Sequence, residues 1–333
     1  MRGLIVSAFF TVLLLLLPSR LISQEAHSSS PSTDSDLDGL SDQLEQSLLE
    51  RFTPTFMIDL KECSNLPAEF SSGLSSPTAS VENGTIYGQV FPTKLADDKR
   101  QLAEIHFYHL WKQDCGAHGH PLDAEHVSVL VQRAALSNGS VAWEAKYWYA
   151  AAHEDTVCDV SQITRASTIR AEDHGATIWI SADKHASFLN PELCQRGCGS
   201  DRCAQTKPLN ISQIVNLGEI EKPMNGTVWT SSAQWPLEKK MTQSDFPPAS
   251  LARLESLPET DIAWFNPGRH PAQGMIAISD MTSQKIGNGG DSAAAAMSTA
   301  TDSTNNALNQ SYRKTVNAIG TSARRVKKVF RPK

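Results

Sequence analysis

The chain has 333 residues, 40% of them hydrophobic, and its 36 Asp and Glu outnumber 30 Lys and Arg for a net charge of −6. That length supports one sizeable core with an appendage. The excess of acid argues against nucleic acid as the main partner, and beyond the N-terminal apolar run no stretch is apolar enough to span a bilayer.

Arg2 followed by Phe9 to Pro18, FFTVLLLLLP, reads as a secretory signal over residues 1–25, with cleavage near Ser23 or Ala26. No Cys follows the apolar run, so a lipoprotein anchor is not expected. The chain is therefore expected to be secreted, periplasmic or at the cell surface. In an oxidising compartment the even set Cys63, Cys115, Cys158, Cys194, Cys198 and Cys203 favours disulfides. Six cysteines allow about fifteen connectivities, and sequence does not choose among them. The competing reading holds zinc at Cys194, Cys198 and Cys203 with His185, although the spacing lacks a C-x2-C element.

Residues 26–33 form a linker, and residues 34–53 a calcium-loop and helix segment. In DSDLDGLSDQLE, Asp34, Asp36 and Asp38 take positions one, three and five of a twelve-residue loop. Gly39 permits the sharp turn, the Leu40 carbonyl falls at position seven, Asp42 at nine and Glu45 at twelve. Alternate carboxylates at this spacing converge on calcium, and the last Glu can bind through both oxygens. An acidic linker into a helix capped by Ser41 is the plainer alternative. Leu44, Leu48, Leu49 and Phe52 recur at helical spacing, predicting a helix over 41–52 that Pro54 stops.

Strand patterns fill residues 54–282. Thr55 to Leu60 reads as a first strand, and Asn83-Gly84 as a hairpin turn into a strand over 85–91. Ile105 to Trp111 alternates, with Ile105, Phe107, His109 and Trp111 on one face and His106, Tyr108 and Leu110 on the other. The next strand carries Glu125, Val127, Val129 and Val131 on one side, with Asp123 sharing it if extended geometry begins there. Asn138-Gly139 is a second hairpin signal, followed by a strand over 141–149 and another over 176–181. Several strands, two such turns and few long helices predict an antiparallel β-sandwich. Residues 283–333 shift to a low-complexity tail, and residues 313–333 hold eight Lys or Arg and no acid. This end is either a solvated, flexible tail or a contact for anionic lipid or cell-wall polymer.

The loop between the two central strands gathers Asp114, His118, His120, Asp123 and Glu125. Fixed carboxylates so close together need a positive partner, and a metal ion is the simplest. Oxygen donors with one imidazole suit Ca, Mg, Mn or Zn. The plainer reading is a solvated acidic loop.

The segment Gly119-His120-Pro-Leu-Asp123-Ala-Glu125-His126 resembles the G-H-R-H-D-W-E heptapeptide of the necrosis- and ethylene-inducing peptide 1-like proteins. The resemblance implies a β-sandwich and a divalent metal held by His120, Asp123, Glu125 and the upstream Asp114. Pro121-Leu122 stands for Arg-His and Ala124 for Trp, so membrane lysis is not carried over. The chain is also similar to the vacuolar protein sorting-associated protein 62-like family, through Asp123-Ala-Glu125-His126, Ala152-His153 and Asp183-Lys-His185-Ala-Ser-Phe188. Neither resemblance implies an activity.

Three functional readings follow. The first is an exported metal-binding protein that uses Asp114, His120, Asp123 and Glu125 to engage a glycan or lipid surface. The second is a metal-dependent hydrolase with His153 or His185 as the catalytic proton carrier. The third is a structural cell-envelope protein. No G-x-S-x-G, H-E-x-x-H or G-x-x-x-x-G-K motif points to other chemistry.

Overall fold

The computed structural model describes residues 33–71, 78–95, 100–116, 119–135, 141–154, 156, 158–198, 200–225, 227–229, 240–241, 243–269 and 276–277. The expected signal segment, His118, the Asn138-Gly139 turn and the tail from 283 lie outside these residues. Among the described residues three α-helices form: α1 (Asp42–Phe52), α2 (Pro191–Arg196) and α3 (Pro248–Glu255). The early strands are β1 (Thr55–Asp59), β2 (Ala68–Phe70), β3 (Ala79–Glu82), β4 (Thr85–Thr93), β5 (Leu102–Gln113) and β6 (Pro121–Ala135). Then come β7 (Val141–Ala150), β8 (Gln162–Arg165), β9 (Thr177–Ile180), β10 (Ser187–Phe188) and β11 (Thr206–Pro208). The last are β12 (Gln213–Asn216), β13 (Pro223–Met224), β14 (Thr227–Val228), β15 (Asp261–Trp264) and β16 (Ile276–Ala277).

Two main sheets result. One has eight strands in the order β12-β4-β5-β6-β7-β8-β15-β16, the other four in the order β10-β9-β1-β11. One hydrophobic cluster joins them: Phe56, Ile58, Ile178 and Ile180 from the small sheet meet Ile105, Phe107, Val127 and Val129 from the large one. This is sheet-on-sheet packing, and the protein is mainly β. The sheets are antiparallel-rich, as expected, with two exceptions: β1 runs parallel to β9 and β12 parallel to β4. More than a hundred residues separate each pair in sequence, enough for the crossover that parallel pairing demands.

The β5–β6 ladder is the longest feature, running from Leu102↔Gln132 to Gln113↔Pro121. Trp111 lies opposite Asp123 and His109 opposite Glu125, so these carboxylates share the face of the main core. Tyr108 and Leu110 on the reverse face pack with Tyr87, Trp229 and Met241. Both faces are therefore covered, which is why β5 is buried without interruption from Leu102 to Trp111.

Helix α1 is part of this core. The Ser41 hydroxyl accepts from the Leu44 N–H as an N-cap, and Leu48, Leu49 and Phe52 are almost fully buried. Each such side chain contributes about 1.5–3 kcal/mol. Leu49 presses on Gly88 of β4, where a Cβ would sit 2.2 Å from a Leu49 methyl. The turn at Asn83-Gly84 is present, but β3 pairs with β2 rather than β4. Asn83 Oδ1 accepts from the Thr85 N–H and hydroxyl, and the Gly84 N–H donates to the Pro67 carbonyl. The turn therefore hands the chain from a small outer ribbon into the main sheet.

All six cysteines are paired: Cys63–Cys115, Cys158–Cys198 and Cys194–Cys203. This overturns the zinc reading of the cysteine-rich loop, since no thiol remains to ligate. No helix among the described residues is long and apolar enough to cross a membrane.

Candidate metal and ligand cavity

The β6–β7 ladder ends at Val127↔Ala150, while β6 continues along β5 to Pro121. Over this stretch the β7 side of β6 is flanked by loops, and a cavity of about 450 Å³ opens there. The β5–β6 turn contributes Asp114 and His120, and β6 contributes Asp123, Glu125 and His126. The loop after β7 supplies His153, Glu154 and Thr156; Lys184, Lys240, Gln243 and Asp245 complete the wall. Every lining side chain is polar or charged.

Asp114 is fixed by its own turn. Its N–H donates to the His120 carbonyl at 2.8 Å, and its Oδ1 accepts from the Gly116 N–H. Its Oδ2 accepts a 2.6 Å hydrogen bond from Lys184 Nζ, with His120 Nε2 at 3.7 Å. The Cys63–Cys115 bridge ties this turn to residues 62–64.

Asp123 is held from behind. Its Oδ2 lies 2.9 Å from His185 Nδ1, and its Oδ1 accepts from the Ala124 N–H. His185 stacks on Trp111 at 4.0 Å, and its Nε2 lies 3.2 Å from Glu62 Oε1. Burial works against charge on this imidazole, but hydrogen bonds to Asp123 and Glu62 prevail and raise its pKa to about 9. His185 is fully buried and stands outside the cavity lining. Its geometry is that of a group that positions Asp123.

Glu125 faces Lys240, with Oε2 and Nζ 3.8 Å apart, and this oxygen has no hydrogen-bond partner. Burial pushes its carboxyl up to about 8 against the opposing charge of Lys240. Lys240 also lies 3.9 Å from Glu154 Oε2. His153 lines the cavity and pairs with Asp201. Burial opposes its protonation, yet the Asp201 contact and then the charge of Glu125 raise its pKa.

The four residues expected to bind metal thus share one cavity, but no three of them bring ligand atoms within 4.8 Å of one another. Among the described residues two other groups do: Asp34, Asp36 and Asp38, and the buried set His106, His126 and Asp245. Sequence reasoning missed the second group. His106 and His126 sit on the reverse faces of β5 and β6, while Asp245 lies 119 residues beyond His126. The only signal was two imidazoles on strand faces otherwise lined by buried side chains.

The acidic N-terminal loop has its own geometry. Asp34 accepts from the Leu37 and Gly39 N–H groups, and Asp38 Oδ1 accepts from the Leu40 N–H. Gly39 has φ +98°, the left-handed turn that its position requires. Asp42 instead accepts from the Ser35 N–H and hydroxyl. Asp36 Oδ1, Asp38 Oδ2 and Glu45 Oε1 are buried without hydrogen-bond partners. Burial, followed by the charges of Asp36 and Asp38, pushes Glu45 up to about 9; burial pushes Asp38 up to about 6. The Asp36 Oδ2 and Glu45 Oε2 atoms reach the end of β12 and the residues just beyond it, accepting from the Glu219 N–H and the Asn216 amide. Orphaned carboxylate oxygens of this kind fit a hard divalent cation.

No family model matches the chain, and no curated protein matches it. Solved structures with which it shares a distant likeness include the non-toxic HaNLP3 protein, at 15% identity over 56% of this chain and 79% of that chain, with a TM-score of 0.30. NLPPya in complex with glucosamine matches at 14% identity over 69% of this chain and 96% of that one, with a TM-score of 0.29. A structure described as a toxin fold for microbial attack and plant defense matches at 12% identity over the same shares, with a TM-score of 0.30. At TM-scores of 0.29–0.30 these likenesses transfer no residue role to this chain. The likeness to the vacuolar protein sorting-associated protein 62-like family gains nothing from them.

Proposed function

We propose that the chain is an exported protein that binds a divalent cation through Asp114, His120, Asp123 and Glu125 and uses the cavity to hold oxygen-rich groups of a surface glycan or lipid headgroup. The supporting observation is the wall itself: four candidate donors on one cavity whose every lining side chain is polar or charged. Such a lining suits hydroxyl or phosphate oxygens and offers little to an apolar ligand. Three carboxylates and one imidazole suit Ca, Mg, Mn or Zn. Glu125 gives the cation its reason, as a mostly buried carboxylate with an oxygen lacking a hydrogen-bond partner. The Lys184 and Lys240 ammonium groups lie against Asp114 and Glu125, and a cation would take over their role there.

In the same reading the loop of Asp34, Asp36, Asp38, Leu40 and Glu45 binds calcium and locks α1 onto the edge of the large sheet. Asp42 supports this loop by holding Ser35.

The test is binding of the full chain to a glycan panel and to phosphatidylserine vesicles, with added divalent cation or with chelator. Binding that needs the cation and drops at least about tenfold in Glu125→Gln is expected, the size of one charge-assisted contact. Binding indifferent to both chelator and variant would overturn the reading.

One observation favours a second reading, a metal-dependent hydrolase. His153 is on the cavity wall and is oriented by Asp201, as a proton carrier must be. Cation-dependent turnover of a phosphoester, ester or glycoside that is lost in His153→Ala would select it.

A further inference from the structure

We propose that His106, His126 and Asp245 form a separate site for a transition metal of the zinc class. It shares no ligand with the set of Asp114, His120, Asp123 and Glu125 and stands whether or not that reading holds.

The site is built by register. Tyr108 pairs with His126 and His106 with Ser128, so the two histidines are diagonal neighbours on the reverse face of β5 and β6. Their rings stack, 5.8 Å apart at 10°. Asp245 closes over them from the segment before α3. Its Oδ2 lies 3.1 Å from His126 Nε2 and 3.7 Å from His106 Nδ1. Ligand atoms around a tetrahedral ion with bonds of about 2.0–2.1 Å stand roughly 3.3 Å apart. The two separations bracket that value, so small side-chain shifts suffice for all three to reach one ion.

The outer contacts of His106 are those a metal-bound histidine needs, while His126 Nδ1 is buried without a hydrogen-bond partner. Glu104 Oε2 lies 3.3 Å from His106 Nε2, so Nδ1 is the nitrogen turned toward Asp245, where a metal would replace its 3.3 Å contact with the Tyr108 hydroxyl. Glu104 also accepts from the Ser244 hydroxyl and the Asp245 N–H, so one carboxylate orients both a histidine and the acidic ligand. The Ser128 hydroxyl donates to Asp245 Oδ2.

Charge points the same way. Glu104 and Asp245 are both buried. Their ion pairs among the described residues run to imidazoles, which carry charge only when protonated. A divalent ion neutralises two buried carboxylates without that requirement. Two imidazoles with one carboxylate select zinc, cobalt or nickel over calcium or magnesium. His126 and Asp245 also line the cavity, so any open coordination position would face it.

Titration of Co²⁺ into the chelator-stripped full chain tests this. One equivalent giving visible d–d bands is expected. The bands should vanish in His126→Ala and Asp245→Asn and persist in Glu125→Gln and Glu45→Gln. Glu104→Gln should loosen Zn²⁺ by about 10- to 100-fold, because His106 and Asp245 lose the carboxylate that orients them. X-ray absorption of the zinc-loaded wild type supplies a readout independent of any variant's folding: two imidazoles in the first shell are expected. One imidazole or none, or Co²⁺ bands unchanged in a folded His126→Ala, would overturn the proposal.

Discussion

The Lys184 ammonium donates a 2.6 Å hydrogen bond to Asp114 Oδ2, one residue before the imidazole that holds Asp123. Lys184 therefore serves as an internal cation at one of the four candidate donors. Its side chain is a quarter exposed, so the pair is worth about 1 kcal/mol. Lys184→Met should tighten Mn²⁺ binding at the cavity by about fivefold, that energy expressed as affinity. Calorimetric titration reads the change. Unchanged or weaker binding would show that Lys184 does not compete with the cation.

Glu45 makes the sharpest prediction at the N-terminal loop. Gln at this position keeps the shape and removes a buried carboxyl that, without calcium, must take up a proton or bear charge on an oxygen lacking a partner. Glu45→Gln should abolish the rise in Tm on adding calcium, while its Tm in chelator should equal or exceed that of wild type. Differential scanning calorimetry with and without calcium measures both. A calcium-induced rise as large in the variant as in wild type would remove Glu45 from the site.

The same residue sets a pH dependence. Burial and then the Asp36 and Asp38 charges hold the folded Glu45 carboxyl at about 9, above its ordinary 4.5. A carboxylate raised in the folded state contributes stability that is complete below its unfolded pKa and is lost as pH climbs through the folded value. In chelator, stability should therefore decline from about pH 5 to pH 9. His185 acts in the same direction, since its contribution is complete below 6.5 and lost through about 9. Calcium should remove the Glu45 part and leave the parts from His185 and from Glu125, whose carboxyl burial raises to about 8. Urea unfolding across this range, in wild type and Glu45→Gln, separates the Glu45 part from the other two; a stability that rises with pH in chelator would contradict the assignment.

The Cys63–Cys115 bridge closes a separation of 52 residues and anchors the turn that carries Asp114. A loop of that length implies about 4 kcal/mol of stability on the chain-entropy account. Cys63→Ser with Cys115→Ser should lower stability by about that amount and weaken cation binding at the cavity, because Asp114 loses its fixed position. Chemical unfolding and metal titration check the two effects. Full stability with full binding in the double variant would show that β5 and β6 hold the turn unaided.

Much of the frame was legible because it is local. The spacing of Leu44, Leu48, Leu49 and Phe52 marked α1, and strict alternation marked β5, β6 and β7 together with the face that Asp123 and Glu125 share. The parallel pairs β1–β9 and β12–β4 were not legible, since parallel partners are distant in sequence and no turn announces them. Asn83-Gly84 misled for the opposite reason. Its turn signal is genuine, but a turn does not say which strand the arriving chain will pair with. At the cavity, the β5–β6 turn exposed its own acids and His120, whereas Lys240 and Asp245 arrive from more than a hundred residues downstream. Nothing near Lys184 marked it as the partner of Asp114. His185 was visible as a histidine beside a strand, yet only the fold shows it clamped between Asp123 and Glu62, behind the wall.

The most direct measurement is a Mn²⁺ titration, followed by electron paramagnetic resonance, of the full chain carrying Glu45→Gln and His126→Ala to silence the other two candidate sites. One remaining Mn²⁺ that disappears when Asp123→Ala is added is the predicted result. A titration that Asp123→Ala leaves unchanged, or one in which no Mn²⁺ binds, would contradict a cation site at Asp114, His120, Asp123 and Glu125.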